Sequence, residues 1–271
     1  MRMIRSILPI AAGMALAAPQ ANANANAAAP PRIVIAGDDT AAAYGPAAYP
    51  EFGWGMLLKC GLRPDTMVLD AARPGLSTKG YIAAGLLDRL GQDLDQGDVL
   101  LIHFGFEDER TYLATTYTNP ATDFRANLRK FVDLARTKGA TPVLVTPVSR
   151  RSYSDGRWID THGPYARAVR EVGAATRTPV IDLTASSLAW LRQIGPAASE
   201  PYFLRRPGAP ANGPGGASGV DPSHLSELGA RKVADLLLAD LALLDLPLSK
   251  AVLAERPSLT RIAPVESSAC E

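Results

Sequence analysis

The sequence is short of net charge, of cysteine, of repeats and of long apolar runs, and each shortage excludes something. Lys and Arg number 28 against 27 Asp and Glu, giving a formal net charge of +1. That balance leaves no electrostatic footprint for nucleic acid or for a strongly acidic partner. No internal repeat is visible, so a solenoid or an array is not encoded. Cys60 and Cys270 are the only cysteines. In an oxidising compartment they can pair and tie the tail to the body. Cys270 is however the penultimate residue of a segment that reads as a loosely held tail, so the expectation is weighted against the bridge. Nothing in the sequence sets an oligomeric state.

The one marked apolar run lies at the start. Arg2 and Arg5 precede "ILPIAAGMALAA", and "PQANANANAAAPP" follows with several small-x-small cleavage sites. Positive start, apolar run and small-residue sites together read as a signal peptide and cleavage region over residues 1–27. The run is too short to span a bilayer and lacks stop-transfer charges. No Cys follows it, which argues against a lipoprotein anchor. The expectation is an exported protein, periplasmic or secreted, with no membrane anchor after cleavage.

What remains is roughly 240 residues, enough for one large α/β domain. Candidate strands are "RIVIA" (32–36), "TMVLD" (66–70), "DVLLIHF" (98–104), "TPVLVTPV" (141–148) and "TPVIDL" (178–183). Their Val, Ile and Leu run without alternation, which implies a parallel sheet buried on both faces. Between them "TDFRANLRKFVDLARTKGA" places Phe124, Leu128, Phe131, Val132 and Leu134/Ala135 near one helical face, with Gly139 as its stop. "LRRPGAPANGPGGASGVDPSH" (204–224) reads as a long loop, and the segment after it as a loop feeding a final helix. The domain is expected over 32–247 and a loose tail over 248–271. A doubly wound sheet of this kind takes ligands at the C-terminal ends of its strands.

Three chemically loaded stretches fall at such ends: "GDDT" after the first strand, "DAARPGLS" after the second, "FGFEDE" after the third. A fourth, "VDPSHLSELGARKVA", carries Asp221 and His224. Asp-x-x-His can set a carboxylate against an imidazole, the orienting arrangement of a general base, although a surface Asp beside a solvated His with Ser223 as a helix cap is the commoner outcome. Ser77 and Thr40 read as turn or helix-start residues, His103 as a hydrogen-bonded core residue, and His162 as a loop-shaping one. Arg150 and Arg151 fall near the rim of the site, as a solvated turn or as a contact for acidic sugars.

In their order and wording these four blocks resemble the SGNH (GDSL-type) hydrolases, in the rhamnogalacturonan acetylesterase-like branch. "GDDT" stands for that family's "GDST", "DAARPG" for its Asn-x-Ala-x-x-Gly block, "FGFED" for "FGHND", and Asp221 with His224 for the closing Asp-x-x-His. The resemblance spans about residues 32–247. It implies a flavodoxin-like three-layer αβα fold with a five-stranded parallel sheet, and ester hydrolysis by a Ser that needs no cofactor. It maps the catalytic positions onto Asp39, Gly75, Glu107, Asp221 and His224. Asp39 stands where the family has its nucleophilic Ser and Glu107 where it has an oxyanion-binding Asn. Phe106 replaces the His of "FGHND", and Asp70 the Asn of the second block.

Those substitutions imply lost or strongly impaired serine esterase chemistry, because Asp39 offers no hydroxyl to His224 and an ionised Glu107 offers acceptors where an anion needs donors. Three readings follow. One is a protein that keeps an acetylated or acidic saccharide ligand in the cleft, with Trp54, Tyr153, Trp158 and Tyr165 as candidate sugar-stacking or core residues. A second makes Asp39 a nucleophile, with His224 activating water against a covalent intermediate. A third gathers Asp39, Glu107 and His224 around Mn²⁺, Fe²⁺ or Zn²⁺, with Asp221 orienting the imidazole.

Overall fold

The computed structural model describes residues 32–205 and 219–270. The expected signal peptide and most of the Gly/Pro-rich stretch lie outside the described residues. Five parallel strands form the central sheet: β1 (Arg32–Gly37), β2 (Met67–Asp70), β3 (Val99–His103), β4 (Thr141–Val145) and β5 (Val180–Ile181). Their spatial order is β2-β1-β3-β4-β5. The order reverses between β1 and β3, so the crevice at that switch point lies outside the ends of these two strands.

Buried neighbours on both faces explain the uninterrupted apolar runs. Ile33 and Ile35 of β1 pack into one core with the segment Trp54–Gly61, α5 (Leu183–Ser199) and α6 (Glu227–Ala242). Val34 and Ala36 point the other way, into a core with α1 (Thr78–Ala83), α2 (Leu86–Asp93), α3 (Asp123–Thr137) and α4 (Gly163–Thr176). Two helical layers thus clamp the sheet. On α3 the periodic residues Phe124, Leu128, Phe131, Val132 and Ala135 are buried, while Leu134 is only partly covered. Each large side chain on that face contributes roughly 1.5–3 kcal/mol. Gly139, at φ +73°, follows the helix and donates to the Arg136 carbonyl.

The sequence misreads the approach to α6. Val220–Leu225, expected as loop, is a strand (β7) paired antiparallel with Phe203–Arg205 (β6). Ser226, rather than Ser223, caps α6 by accepting from Gly229 N. The tail also departs from expectation. Cys60 and Cys270 form a disulfide with Cα atoms 5.0 Å apart. Buried Arg231 donates to the Ser267 and Ala269 carbonyls, and buried Glu227 accepts from the Val265 and Glu266 amides. An anchored tail satisfies the polar groups of α6 that would otherwise be buried alone.

Candidate active site

At the end of β1 the chain must turn tightly past β3. A Cβ on Gly37 would sit 2.7 Å from the His103 carbonyl, so only glycine fits, and the turn that follows presents Asp38 and Asp39. Asp38 is fully buried and accepts from Phe106 N at 3.0 Å, which ties this turn to the loop after β3. Burial, then the charges of Asp39 and Asp108, push its carboxyl well above the usual range. Thr40 hydrogen-bonds His103 Nε2 at 2.8 Å, and burial lowers that imidazole to about 3, so His103 is a neutral core residue.

Asp39 turns toward the second block. Its Oδ2 accepts from Gly75 N at 2.9 Å. Gly75 holds φ +74°, a left-handed backbone that disfavours other residues, and this aims its N–H into the crevice. Glu107, 1% exposed, meets Asp39 from the loop after β3. Burial first, then the Asp39 charge and a hydrogen bond between the two carboxyls, raise Glu107 to about 7. Arg110 opposes that rise from 2.5 Å, as an ionic contact rather than a directed hydrogen bond.

β7 supplies the other half. Asp221 Oδ2 lies 2.9 Å from His224 Nδ1, and its Oδ1 accepts from the amides of Ser223 and His224. Burial works against the ionised form of Asp221, but the imidazole and the two amides outweigh it and hold the carboxyl at about 2. Ser223 N therefore helps lock the pair. Nε2 of His224 faces Glu51 Oε1 at 3.9 Å. Phe106 presents its ring edgewise to His224 at 5.8 Å, and the guanidinium of Arg150 covers its face at 4.6 Å. Glu109 pairs with both Arg150 and His162, fixing that cation over the ring.

All five residues read from the sequence thus converge on the switch point. Glu107 feels the charges of both Asp39 and His224, which places the carboxyl pair and the imidazole in one electrostatic unit. With this geometry in hand, known proteins decide the family: the chain matches the GDSL-like lipase/acylhydrolase family over residues 35–232. The chain belongs to this family. Within it the chain falls in the rhamnogalacturonan acetylesterase-like branch. It is 35% identical over 221 residues to rhamnogalacturonan acetylesterase RhgT of Bacillus subtilis, covering 81% of this chain and 93% of that one. Two solved structures share the fold. Protein YXIM_BACsu from Bacillus subtilis has a TM-score of 0.65 at 23% identity, covering 78% of this chain, which spans 56% of that one. A catalytic mutant of Axe2, an acetylxylan esterase from Geobacillus stearothermophilus, has a TM-score of 0.55 at 17% identity, with 77% and 93% covered.

Against the GDSL pattern the departures have physical partners. The carboxyl of Asp39 and that of Glu107 meet across the crevice, and Phe106 builds an aromatic shelf carrying Arg150 and Arg110. Asp70 accepts from Ala72 N and is raised to about 7 by burial. Ser77 caps α1 by accepting from Gly80 N, and Arg151 binds Ser199 and the Pro196 carbonyl, so both are structural. Of the aromatic candidates, Trp54 and Tyr165 are core, whereas Tyr153 is exposed and packs edgewise on the partly covered Trp158. Among the described residues no group of three His, Cys, Asp or Glu side chains is arranged to hold a metal ion, so the Asp39/Glu107/His224 ligand set gains no support from the geometry. No helix among them is long and apolar enough to cross a membrane.

Sequence reasoning missed Glu51 and Tyr44. Tyr44 donates to the Asp39 carbonyl at 3.0 Å, and Glu51 reaches His224. Neither sits in a family block or at a strand end, and the only local sign was an aromatic and a carboxylate flanking a Pro-containing turn.

Proposed function

We propose that this chain is an exported, acetylesterase-like protein that retains a saccharide cleft but has lost the ordinary serine esterase reaction. One observation carries the reading: the Asp39 carboxylate accepts the Gly75 N–H that points into the crevice. In a serine mechanism a donor at that place binds the oxyanion of the tetrahedral intermediate. Here a carboxylate of the protein itself takes it. Glu107, raised to about 7 by burial and by Asp39, brings a second carboxyl to the place where the family has a donor amide.

The cost of this arrangement exceeds the loss of a nucleophile. Removing one oxyanion donor typically costs about 2.7–4 kcal/mol of transition-state stabilisation. Replacing that donor by a carboxylate adds repulsion toward the developing charge. His224 and Asp221 keep the base geometry, but His224 has no hydroxyl at position 39 to deprotonate. Among the described residues, the carboxylates within ion-pair reach of its ring are Asp221 and Glu51. Asp39 is engaged with Gly75 instead, so no observation favours the reading in which it attacks a substrate.

The similarity to RhgT supports an acetylated saccharide as the ligand class. The test incubates the wild-type protein and a His224→Ala variant with acetylated pectic oligosaccharides and follows acetate release alongside binding. The expected result is binding by both with no acetate released above background. Robust release that depends on His224 overturns the reading.

A further inference from the structure

Glu51, 3.9 Å from His224 Nε2, also lines a cleft of about 540 Å³ with Tyr44, Tyr49 and Met56 and with Glu266 and Ser267 of the tail. Two of these residues join it to the reaction centre: Tyr44 through the Asp39 carbonyl and Glu51 through the His224 ring.

The far wall is built into the fold. The Cys60–Cys270 disulfide closes behind it, Glu227 accepts from the amides of Val265 and Glu266, and Arg231 donates to the Ser267 and Ala269 carbonyls. Glu266 itself sits at φ +57°, a left-handed conformation costly for a side-chain-bearing residue, and these bonds hold it there.

The chemistry of the cleft differs from that around Phe106, whose ring packs edgewise on His224. There Arg150 and Arg110 lie over Phe106. Here the described lining carries two carboxylates, two tyrosines and serine hydroxyls, with no cation. Carboxylates accept strongly from neutral hydroxyls. Tyr49, 45% exposed, offers a ring face for the apolar side of a pyranose. A uronate carboxylate would meet Glu51 and Glu266 with like charge and, among the described lining residues, no counter-ion.

We propose that this cleft is a subsite for an uncharged sugar residue of an oligosaccharide, contiguous with the reaction centre and selective against uronate. The proposal rests on the saccharide-binding reading above and adds the place and the charge selectivity. Tyr49 and Glu266 are its determinants, and the tail its outer wall.

The experiment titrates the full chain with tetragalacturonate and with its carboxyl-reduced form, α-1,4-linked galactotetraose, which differ by oxidation at C6, and reads affinity by calorimetry and amide shifts by NMR. Galactotetraose is expected to shift the amides of Tyr44, Tyr49 and Glu266 in the wild type, a result that needs no variant. Tyr49→Ala and Glu266→Gln are each expected to weaken it by about five- to tenfold. Tetragalacturonate is expected to bind at least about tenfold more weakly at low salt, with Glu266→Gln narrowing the gap. Galactotetraose binding that shifts other residues and ignores both substitutions overturns the subsite and leaves the saccharide reading standing. Tighter binding of tetragalacturonate overturns the selectivity. Binding of neither tetrasaccharide overturns the subsite, and the saccharide reading falls with it only where acetylated pectic oligosaccharides also fail to bind.

Discussion

The two halves of the reaction centre meet across the switch point of one sheet but present opposite chemistry. On the β7–α6 half, Asp221 is held at about 2 and points its charge at His224, an arrangement fit for a base. On the β1–β3 half, Asp39 fills the Gly75 N–H and Glu107 is raised to about 7, an arrangement fit only for its own proton. The first half holds an ionised carboxylate against two backbone amides and an imidazole. The second crowds two acids together, and burial beside Asp39 raises Glu107. The fold is indifferent to this difference, because the layers that position both halves are apolar and complete without the chemistry.

The comparison breaks hardest at the anchor of the base half. Arg231→Ala leaves Glu227 buried in α6 without its cation and releases the tail carbonyls, and is expected to cost about 3–5 kcal/mol in urea unfolding. A loss under about 1 kcal/mol would mean that α6 holds β7 and the tail by apolar packing alone.

The next two tests carry opposite signs. Asp221 has a folded pKa of about 2, below its ordinary 3.8. Its ionised form therefore stabilises the fold above about pH 4, and that contribution fades as pH falls through about 2. Asp221→Asn is expected to lose about 2 kcal/mol at pH 7. Glu107 is displaced the other way, from 4.5 to about 7. A raised folded pKa favours folding below about pH 4.5, and this is lost as pH rises through about 7. Glu107→Gln removes that penalty, so thermal unfolding is expected to show a gain on the order of 2 kcal/mol at pH 8 and little change at pH 4. Losses from both substitutions at pH 8 would show that the two halves are not electrostatically inverted. The smallest effect belongs to the cap: Ser226→Ala, which removes the side chain accepting from Gly229 N, is expected to cost about 1 kcal/mol, with no pH dependence near neutrality.

Much of this was readable in the chain. Runs such as "RIVIA" and "DVLLIH" announced a doubly buried parallel sheet because helical layers cover both faces of the strands, and the α3 face followed from its spacing. The four blocks located Asp39, Gly75, Glu107, Asp221 and His224. What escaped has partners far away in the chain. "VDPSHL" becomes a strand only because Phe203–Arg205 lies beside it. The tail reads as loose because its anchors, Cys60, Glu227 and Arg231, leave no local pattern around residue 265. The direction of the Asp39 carboxylate, toward Gly75, depends on a left-handed glycine 36 residues later.

The account turns on whether the donor half alone is what silences the base half. Acetyl-ester hydrolysis by the double variant Asp39→Ser/Glu107→Asn, set beside the wild type, each single variant and the double variant carrying His224→Ala, tests this directly. The first substitution supplies a hydroxyl and frees the Gly75 N–H, the second supplies a donor, and Asp221 and His224 are untouched. The predicted result is no turnover by the wild type, little by either single variant, since groups acting as one unit are strongly non-additive, and clear turnover by the double variant that His224→Ala abolishes. A folded double variant that stays inactive, or a wild type whose acetyl-ester hydrolysis survives Asp39→Ala, contradicts it.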